Sequence, residues 1–127
     1  MAFEPMLFVR DVEATSRWFQ ALLGLTSGHG GPHYEMLMDA QRNLVLQLHP
    51  AAAREHGDAR LPLGAAPGAG VLFYFQVDDV RALHAHAANL GAHVEGPPAF
   101  ARQAGHTEFV VRDPDGYALA IYQRGEV

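Results

Sequence analysis

The sequence predicts an α+β fold of two tandem βαβββ modules, which form curved mixed sheets with one helix each. The first observation behind this prediction is an order that occurs twice in the 127 residues: apolar strand, acidic residue, amphipathic helix, glycine. The second is a hairpin pattern over residues 109–123, FVVRDPDGYALAIYQ, in which two apolar runs flank a turn. Each half is therefore expected to hold one strand, one helix and three further strands.

The first half opens with a predicted strand and helix. Residues 5–10, PMLFVR, are mostly apolar and predict the strand. Asp11 is the expected N-cap of a helix over Val12–Leu23, because its carboxylate can accept from backbone amides of the first turn. Gly24 is the expected end of this helix, since glycine readily adopts the left-handed conformation that closes a last turn.

Two more strands are predicted before the composition changes. They cover residues 34–38 and 43–49, where apolar side chains dominate. The segment 27–32, SGHGGP, is expected to be an irregular, mobile loop that carries His29 and His33 on its flanks. Residues 50–70 are rich in Pro, Gly and Ala and are interpreted as a connector with room for one helical turn.

The second half repeats the order of the first. A strand is predicted over residues 71–77 and an amphipathic helix from Val80 to Leu90. The matched positions are Asp11 with Asp79, 68 apart, and Gly24 with Gly91, 67 apart. This internal repeat predicts a division into a first module (1–49), a connector (50–70) and a second module (71–127), which together make one structural domain.

The hairpin turn is Asp113-Pro114-Asp115-Gly116. Pro114 fixes φ near the value that the second position of a type I turn requires, and Asp113 can accept from nearby backbone amides. Gly116 relieves the exit from the turn. The turn therefore sets the register of the last strand.

Composition excludes several classes of protein. The chain has no cysteine, so disulfides, thiolate nucleophiles and zinc–thiolate sites are excluded. All 9 basic residues are Arg, and the formal charge of −5 argues against nucleic acid as a partner. The sequence shows no apolar run of membrane-spanning length and no signal-peptide pattern, so we expect no membrane association and a cytoplasmic location.

One sheet face in each module is expected to be the place of function. One helix cannot cover both faces of a sheet, so the opposite face needs the other module, a second subunit or a ligand. Strand alternation assigns to it Met6, Phe8, Gln47, His49, Leu72, Tyr74, Gln76, Ala118, Ala120 and Tyr122. This mixture suits an apolar or aromatic ligand, although a dimer contact explains each residue equally well.

Two groups of polar residues have both functional and structural interpretations. His49 is a candidate ligand contact or general base, or a strand-end histidine bonded to the connector. His106 and Glu108 are a candidate acid–base pair, or a turn-exit histidine with a cross-strand charge partner. Arg112 is a candidate anion site, with pairing to a nearby carboxylate as the alternative. Trp18 is expected in the core, and His84 and His86 on a solvated helix face.

The doubled βαβββ unit, the V-x-D-V pattern that opens both helices and the R-D-P-D-G-Y segment before the last strand resemble the vicinal oxygen chelate superfamily. Glyoxalase I, extradiol dioxygenases and bleomycin resistance proteins are members. The resemblance covers about residues 4–123 and implies the glyoxalase/bleomycin resistance/dioxygenase fold. In metal-dependent members, His, Glu or Gln from the first and last strands of each half bind a divalent ion, which leaves positions for two substrate oxygens.

The resemblance places this ligand pattern on Glu4, Gln47, Leu72 and Ala120. Leu72 and Ala120 offer no lone pair, so the chain looks most similar to metal-free members of the bleomycin resistance type, and no cofactor is expected. The alternative is a non-standard divalent metal set of Glu4, Gln47 and His49.

The functional prediction is a homodimer that binds or sequesters an apolar or aromatic small molecule, with antibiotic resistance as one role. The expected ligand-contacting residues are Gln47, His49, Tyr74, Tyr122, Glu108 and Phe8. The alternative is a metal-dependent glyoxalase-like lyase or isomerase, or an extradiol dioxygenase. The sequence does not decide whether the protein is an enzyme and names no catalytic residue.

Overall fold

The structure is a computed structural model that describes residues 1–52 and 66–127. Residues 53–65, the larger part of the connector predicted over residues 50–70, lie outside the described residues. The chain divides into two compact units, Met1–Pro67 and Gly68–Val127.

The described residues of the first unit form a four-stranded mixed sheet and one helix. Its elements are β1 (Met6–Val9), α1 (Val12–Leu23), β2 (Thr26–Ser27), β3 (Glu35–Met38) and β4 (Leu44–Pro50). The strand order is β1-β4-β3-β2, with β1 parallel to β4 and the other pairs antiparallel. The helix lies against β3 and β4.

The second unit repeats this topology. Its elements are β5 (Phe73–Gln76), α2 (Val80–Asn89), β6 (His93–Ala101), β7 (His106–Arg112) and β8 (Ala118–Arg124). The order is β5-β8-β7-β6, again with the first and last strands parallel. The predicted pair of βαβββ modules is therefore confirmed, with one helix in each over residues 1–52 and 66–127.

The helix boundaries follow from the capping residues. Asp11 is extended and its Oδ1 accepts from the amide of Ala14 at 2.9 Å, while Gly24 closes α1 with φ of 69°. Asp79 caps α2 in the same way, and its Oδ1 accepts from Ala82 at 3.0 Å. The span predicted for the first helix, Val12–Leu23, is the observed one.

Each unit has its own apolar core between the helix and one face of the sheet. The buried apolar residues of the first are Leu7, Val9, Val12, Phe19, Leu22, Leu37, Leu46 and Leu48. Those of the second include Val80, Ala87, Phe109, Val111, Leu119 and Ile121. A fully buried side chain such as Phe19 contributes about 1.5–3 kcal/mol relative to an exposed one.

A buried carboxylate shapes the glycine-rich segment that the sequence analysis expected to be irregular. Glu35 is only 3% exposed, and its Oε2 accepts from the hydroxyls of Ser16 and Ser27, both at 2.7 Å. Its Oε1 accepts from the amides of His29 at 3.1 Å and Gly30 at 2.9 Å. The segment is not regular throughout, as predicted: Ser27 belongs to β2 and pairs with Leu37 of β3, whereas residues 28–32 belong to no helix or strand.

The hairpin turn forms as its residues predict. The Oδ1 atom of Asp113 accepts from the amides of Asp115 at 3.0 Å and Tyr117 at 2.8 Å. The carbonyl oxygen of Asp113 accepts from Gly116, whose φ is 100°. Gly68 approaches the same turn so closely that an added Cβ would lie 2.6 Å from Cδ1 of Tyr117.

Within the described ranges, no helix is both long and apolar enough to cross a bilayer.

Candidate functional site

The sheet face of the first unit opposite α1 carries the residues that strand alternation assigns to it. Met6 pairs with Gln47 and Phe8 with His49 across β1 and β4, so these side chains share one face. The Phe8 and His49 rings are 5.4 Å apart. His49 is buried, and its Nδ1 lies 3.1 Å from the carbonyl oxygen of Pro50, at the start of the connector.

The side-chain amide of Gln47 is engaged at both ends. Its Oε1 accepts from the hydroxyl of Tyr34, and its Nε2 donates to the backbone carbonyl of Glu4 at 3.0 Å. The His29 ring contacts Tyr34 edge-on at 5.0 Å. Burial raises the pKa of Tyr34, and the charges of Glu4 and Glu35 add to the effect, so the hydroxyl keeps its proton and donates.

Sequence reasoning missed Tyr34. Tyr34 precedes Met36 by two positions, and Met36 pairs with Gln47. Strand alternation could therefore have placed Tyr34 on the same face, had the predicted strand 34–38 been included in the comparison.

The corresponding face of the second unit carries a cluster of three rings from three strands. Tyr74 lies 5.6 Å from Tyr122 and 5.6 Å from His106, and His106 lies 4.5 Å from Tyr122. The register explains their proximity: β8 lies between β5 and β7 and carries Tyr122. We call Tyr74, His106, Tyr122 and Glu108 the aromatic–acid cluster.

Glu108 places a carboxylate among these rings. It pairs directly with Tyr122 across β7 and β8, and its Oε2 is 3.5 Å from Nε2 of His106. Burial raises the pKa of Tyr74, and the charge of Glu108 and a hydrogen bond to it contribute further. The Tyr74 hydroxyl therefore stays protonated and donates to Glu108.

Two buried atoms of the cluster have no hydrogen-bond partner among the residues that the structure describes. They are Nε2 of His106 and Oε2 of Glu108. A buried polar atom without a partner costs about 1–3 kcal/mol, and such atoms often mark a binding site.

Other side chains surround the cluster. The Tyr122 hydroxyl donates to Oε1 of Gln76 at 3.2 Å, and the guanidinium carbon of Arg124 lies 5.9 Å from the centre of the Tyr122 ring. Arg112 is bound elsewhere: its Nε donates to Glu95 at 2.7 Å, as the carboxylate-pairing interpretation expected.

The helix residues singled out from the sequence lie outside these groups. Trp18 is half-buried and contacts Phe19 edge-on at 5.0 Å. His84 corrects the expectation of a solvated helix face, because it is half-buried with its ring 5.0 Å from that of Phe109. Its Nε2 lies 3.2 Å from the carbonyl oxygen of Gly96.

The positions at which the resemblance implies metal ligands in the second module do not fit a metal. Leu72 and Ala120 have only hydrocarbon side chains, whereas divalent ions in such sites take nitrogen and oxygen ligands. Across residues 1–52 and 66–127, no group of three or more His, Cys, Asp or Glu side chains is arranged to hold an ion. Glu4 and Gln47 alone are a sparse ligand set.

Comparison with known proteins supports one family. The chain matches the family model described as "Glyoxalase/Bleomycin resistance protein/Dioxygenase superfamily" over residues 3–121. The comparison with curated proteins finds no match.

Solved structures share the fold at low sequence identity. A protein of unknown function from Agrobacterium tumefaciens is 24% identical, with a TM-score of 0.77 and coverage of 97% of this chain and 94% of the other. A glyoxalase/bleomycin resistance protein/dioxygenase from Nocardioides is 18% identical, with a TM-score of 0.75 and coverage of 99% and 84%. A family enzyme from Burkholderia phytofirmans is 21% identical, with a TM-score of 0.74 and coverage of 94% and 95%. From the family match and the shared fold, the chain belongs to the Glyoxalase/Bleomycin resistance protein/Dioxygenase superfamily.

Proposed function

We propose that the protein binds an apolar or aromatic small molecule and acts by sequestering it, as a resistance protein does with an antibiotic. The observation that carries this proposal is the aromatic–acid cluster on the open face of the second sheet. Three rings from three strands lie within 5.6 Å of one another there and surround one carboxylate. Apolar area with a few fixed polar groups is typical of small-molecule sites.

Exposure identifies which part of this row a ligand can reach. Tyr74 pairs with Ala120 across β5 and β8, and Ala118 lies two residues away on the same face. Both alanines are buried, whereas Tyr74 is 50% exposed. The Tyr74 ring is therefore the accessible group with which a ligand would first make contact.

Phe8, Gln47 and His49 are proposed as further ligand contacts on the first sheet. Phe8 and His49 present a second pair of rings, and the Gln47 amide is held in one orientation by Tyr34 and Glu4. A side chain oriented in advance loses little entropy when it binds a ligand.

Binding titrations test the proposal. We expect a neutral aromatic probe such as tryptophol to bind saturably in calorimetry. Y74A and Y122A should each weaken it about tenfold, because an aromatic contact is worth about 0.5–1.5 kcal/mol in addition to its buried area. F100A is the matched control: Phe100 is also an exposed ring, but it pairs with Thr107 and so lies on the opposite face of the sheet. Equal effects of all three variants, or no binding of neutral aromatic probes, would contradict the proposal.

The second candidate function is a metal-dependent lyase, isomerase or dioxygenase that uses Glu4, Gln47 and His49. It is favoured by one observation: Gln47 and His49 stand two residues apart on β4 and share a sheet face. Elemental analysis of protein purified without chelator separates the candidates. About one divalent ion per chain, lost in H49A, supports the enzyme, whereas a metal-free protein that binds tryptophol supports sequestration.

A homodimer is part of the proposal. Leu72 and Tyr74 are large apolar side chains that are 43% and 50% exposed in the single chain. Light scattering at micromolar concentration should give twice the mass of 13.8 kDa, and a monomeric mass would contradict this part alone.

A further inference from the structure

We propose that the ligand of the aromatic–acid cluster is an aromatic cation, and that Glu108 selects for its positive charge. This inference rests on the proposed function and adds the chemical class of the ligand. Its basis is the position of one carboxylate oxygen among aromatic rings: Oε2 of Glu108 has no hydrogen-bond partner among the described residues, and the basic group paired with it there is the His106 imidazole, at 3.5 Å.

The rings and the carboxylate favour the same kind of ligand. The face of an aromatic ring carries partial negative charge and attracts cations within about 6 Å of its centre. Tyr74 and Tyr122 both contact the imidazole of His106, and Glu108 lies directly across from Tyr122. A ligand ammonium group at this point would meet ring faces and a carboxylate together, whereas an anion would meet only repulsion.

Two arginines of the second unit, Arg112 and Arg124, do not pair with Glu108 in the described part of the chain. Arg112 donates to Glu95 and to the carbonyl of Gly116 at 3.0 Å. Arg124 lies 5.9 Å from the centre of the Tyr122 ring and makes no ion pair with Glu108 in the described part of the chain. The position of Arg124 shows that the Tyr122 ring already has a positive group in its neighbourhood.

His106 and Tyr74 define how a cation would enter. The buried Nε2 of His106 is 3.5 Å from Glu108 and has no hydrogen-bond partner among residues 1–52 and 66–127. This nitrogen and the Glu108 carboxylate therefore lie close enough together to contact one ligand group. An entering ammonium group would replace the Tyr74 hydroxyl as a donor to Glu108, while the half-exposed Tyr74 ring stays in contact with the ligand.

Three indole probes of matched shape test the inference by calorimetry at about pH 8 and low salt, where an alkyl amine with a pKa near 10 is charged. They are tryptamine, a cation, tryptophol, which is neutral, and indole-3-propionate, an anion. We expect tryptamine to bind at least about tenfold more tightly than tryptophol, because charge-assisted hydrogen bonds are about twice as strong as neutral ones. Indole-3-propionate should bind more weakly than both.

Glu108→Gln should abolish the preference, so that this variant binds tryptamine and tryptophol with about equal affinity. Glu95→Gln is the matched control, since it removes one carboxylate from the same unit, and it should preserve the preference. Retention of the folded state is checked by circular dichroism. Equal affinity of wild type for tryptamine and tryptophol, with the binding of both still weakened in Y74A, overturns the inference alone. Absence of binding of all three probes overturns the proposed function as well.

Discussion

Replacing Asp113 by Asn should change how the stability of the protein depends on pH. Asp113 is 5% exposed, and its Oδ2 is buried without a hydrogen-bond partner among the described residues. Burial raises the pKa of Asp113 from 3.8 to about 6, and the neighbouring charge of Asp115 contributes, although backbone hydrogen bonds to Oδ1 act in the opposite direction. The folded protein thus holds this carboxylate in an unfavourable place.

The magnitude follows from the two pKa values. The difference between 3.8 and about 6 corresponds to about 3 kcal/mol, since each pKa unit is worth about 1.4 kcal/mol. Because the folded-state pKa is the higher one, the stabilising contribution is full below pH 3.8 and is lost as pH rises through about 6. Asn keeps an acceptor for the amides of Asp115 and Tyr117 but carries no charge at any pH.

Urea unfolding followed by circular dichroism from about pH 4 to about pH 8 measures the effect. The free energy of unfolding of wild type should fall relative to that of Asp113→Asn by more than about 2 kcal/mol across this range. The new Asn amide can change the free energy of unfolding by an amount that is the same at every pH, and such a change leaves the pH trend unaltered. The control is Asp39→Asn, whose difference from wild type should be nearly independent of pH in this range, because hydrogen bonds from Asn43 lower the pKa of Asp39 from 3.8 and keep it ionised. A difference between wild type and Asp113→Asn that is independent of pH, or that rises with pH, would refute the reasoning.

Two further changes test the packing. In urea titrations at neutral pH, Glu35→Ala should reduce the free energy of unfolding by more than about 3 kcal/mol, because buried donors lose their acceptor. Glu35→Gln should reduce it by about 1–2 kcal/mol. The hydrogen bonds that Glu35 accepts outweigh the effect of its burial and lower the pKa of Glu35. The stability that the Glu35 carboxylate contributes is therefore present above about pH 4.5 and is lost in acid. A Glu35→Gln protein with the same acid sensitivity as wild type would contradict this. Gly68→Ala should lower the melting temperature, since its Cβ would lie 2.6 Å from the Tyr117 ring at a φ of +68°. Gly70→Ala, also at positive φ but with open space around it, should cost only the backbone strain, and an equal loss in both variants would exclude the clash.

The fold could be predicted from the sequence because its signals are local. Asp11 and Gly24 determine the ends of α1, and the Asp113 turn fixes the register of β8, so neither depends on distant contacts. Strand alternation also placed Tyr74 and Tyr122 on one face.

The site could be predicted only in part. The cluster requires the strand order β5-β8-β7, which brings His106 and Glu108 beside Tyr74 although they are more than thirty positions away in the sequence. Glu108 is among the predicted ligand contacts, whereas His106 is predicted only as an acid–base partner of Glu108 or as a histidine after a turn. The role of Glu35 was missed because its partner hydroxyls lie 8 and 19 positions away.

The contact between the helix and the sheet differs chemically between the two modules. His84 follows Ser16 by 68 positions, which is the offset of the helix caps, and both residues lie on the helix that covers their sheet. In the first module the Ser16 hydroxyl on α1 donates to Glu35 on β3. In the second module the His84 ring on α2 contacts the Phe109 ring on β7, the strand equivalent to β3. One helix–strand contact is polar and responds to acid, while its counterpart is aromatic. The two residues of each contact depend on each other. Placing Phe at position 35 alone would put a ring against the Ser16 hydroxyl, and placing Glu at position 109 alone would put a carboxylate against the His84 ring. Each contact can therefore be exchanged for the other only by changing both residues together.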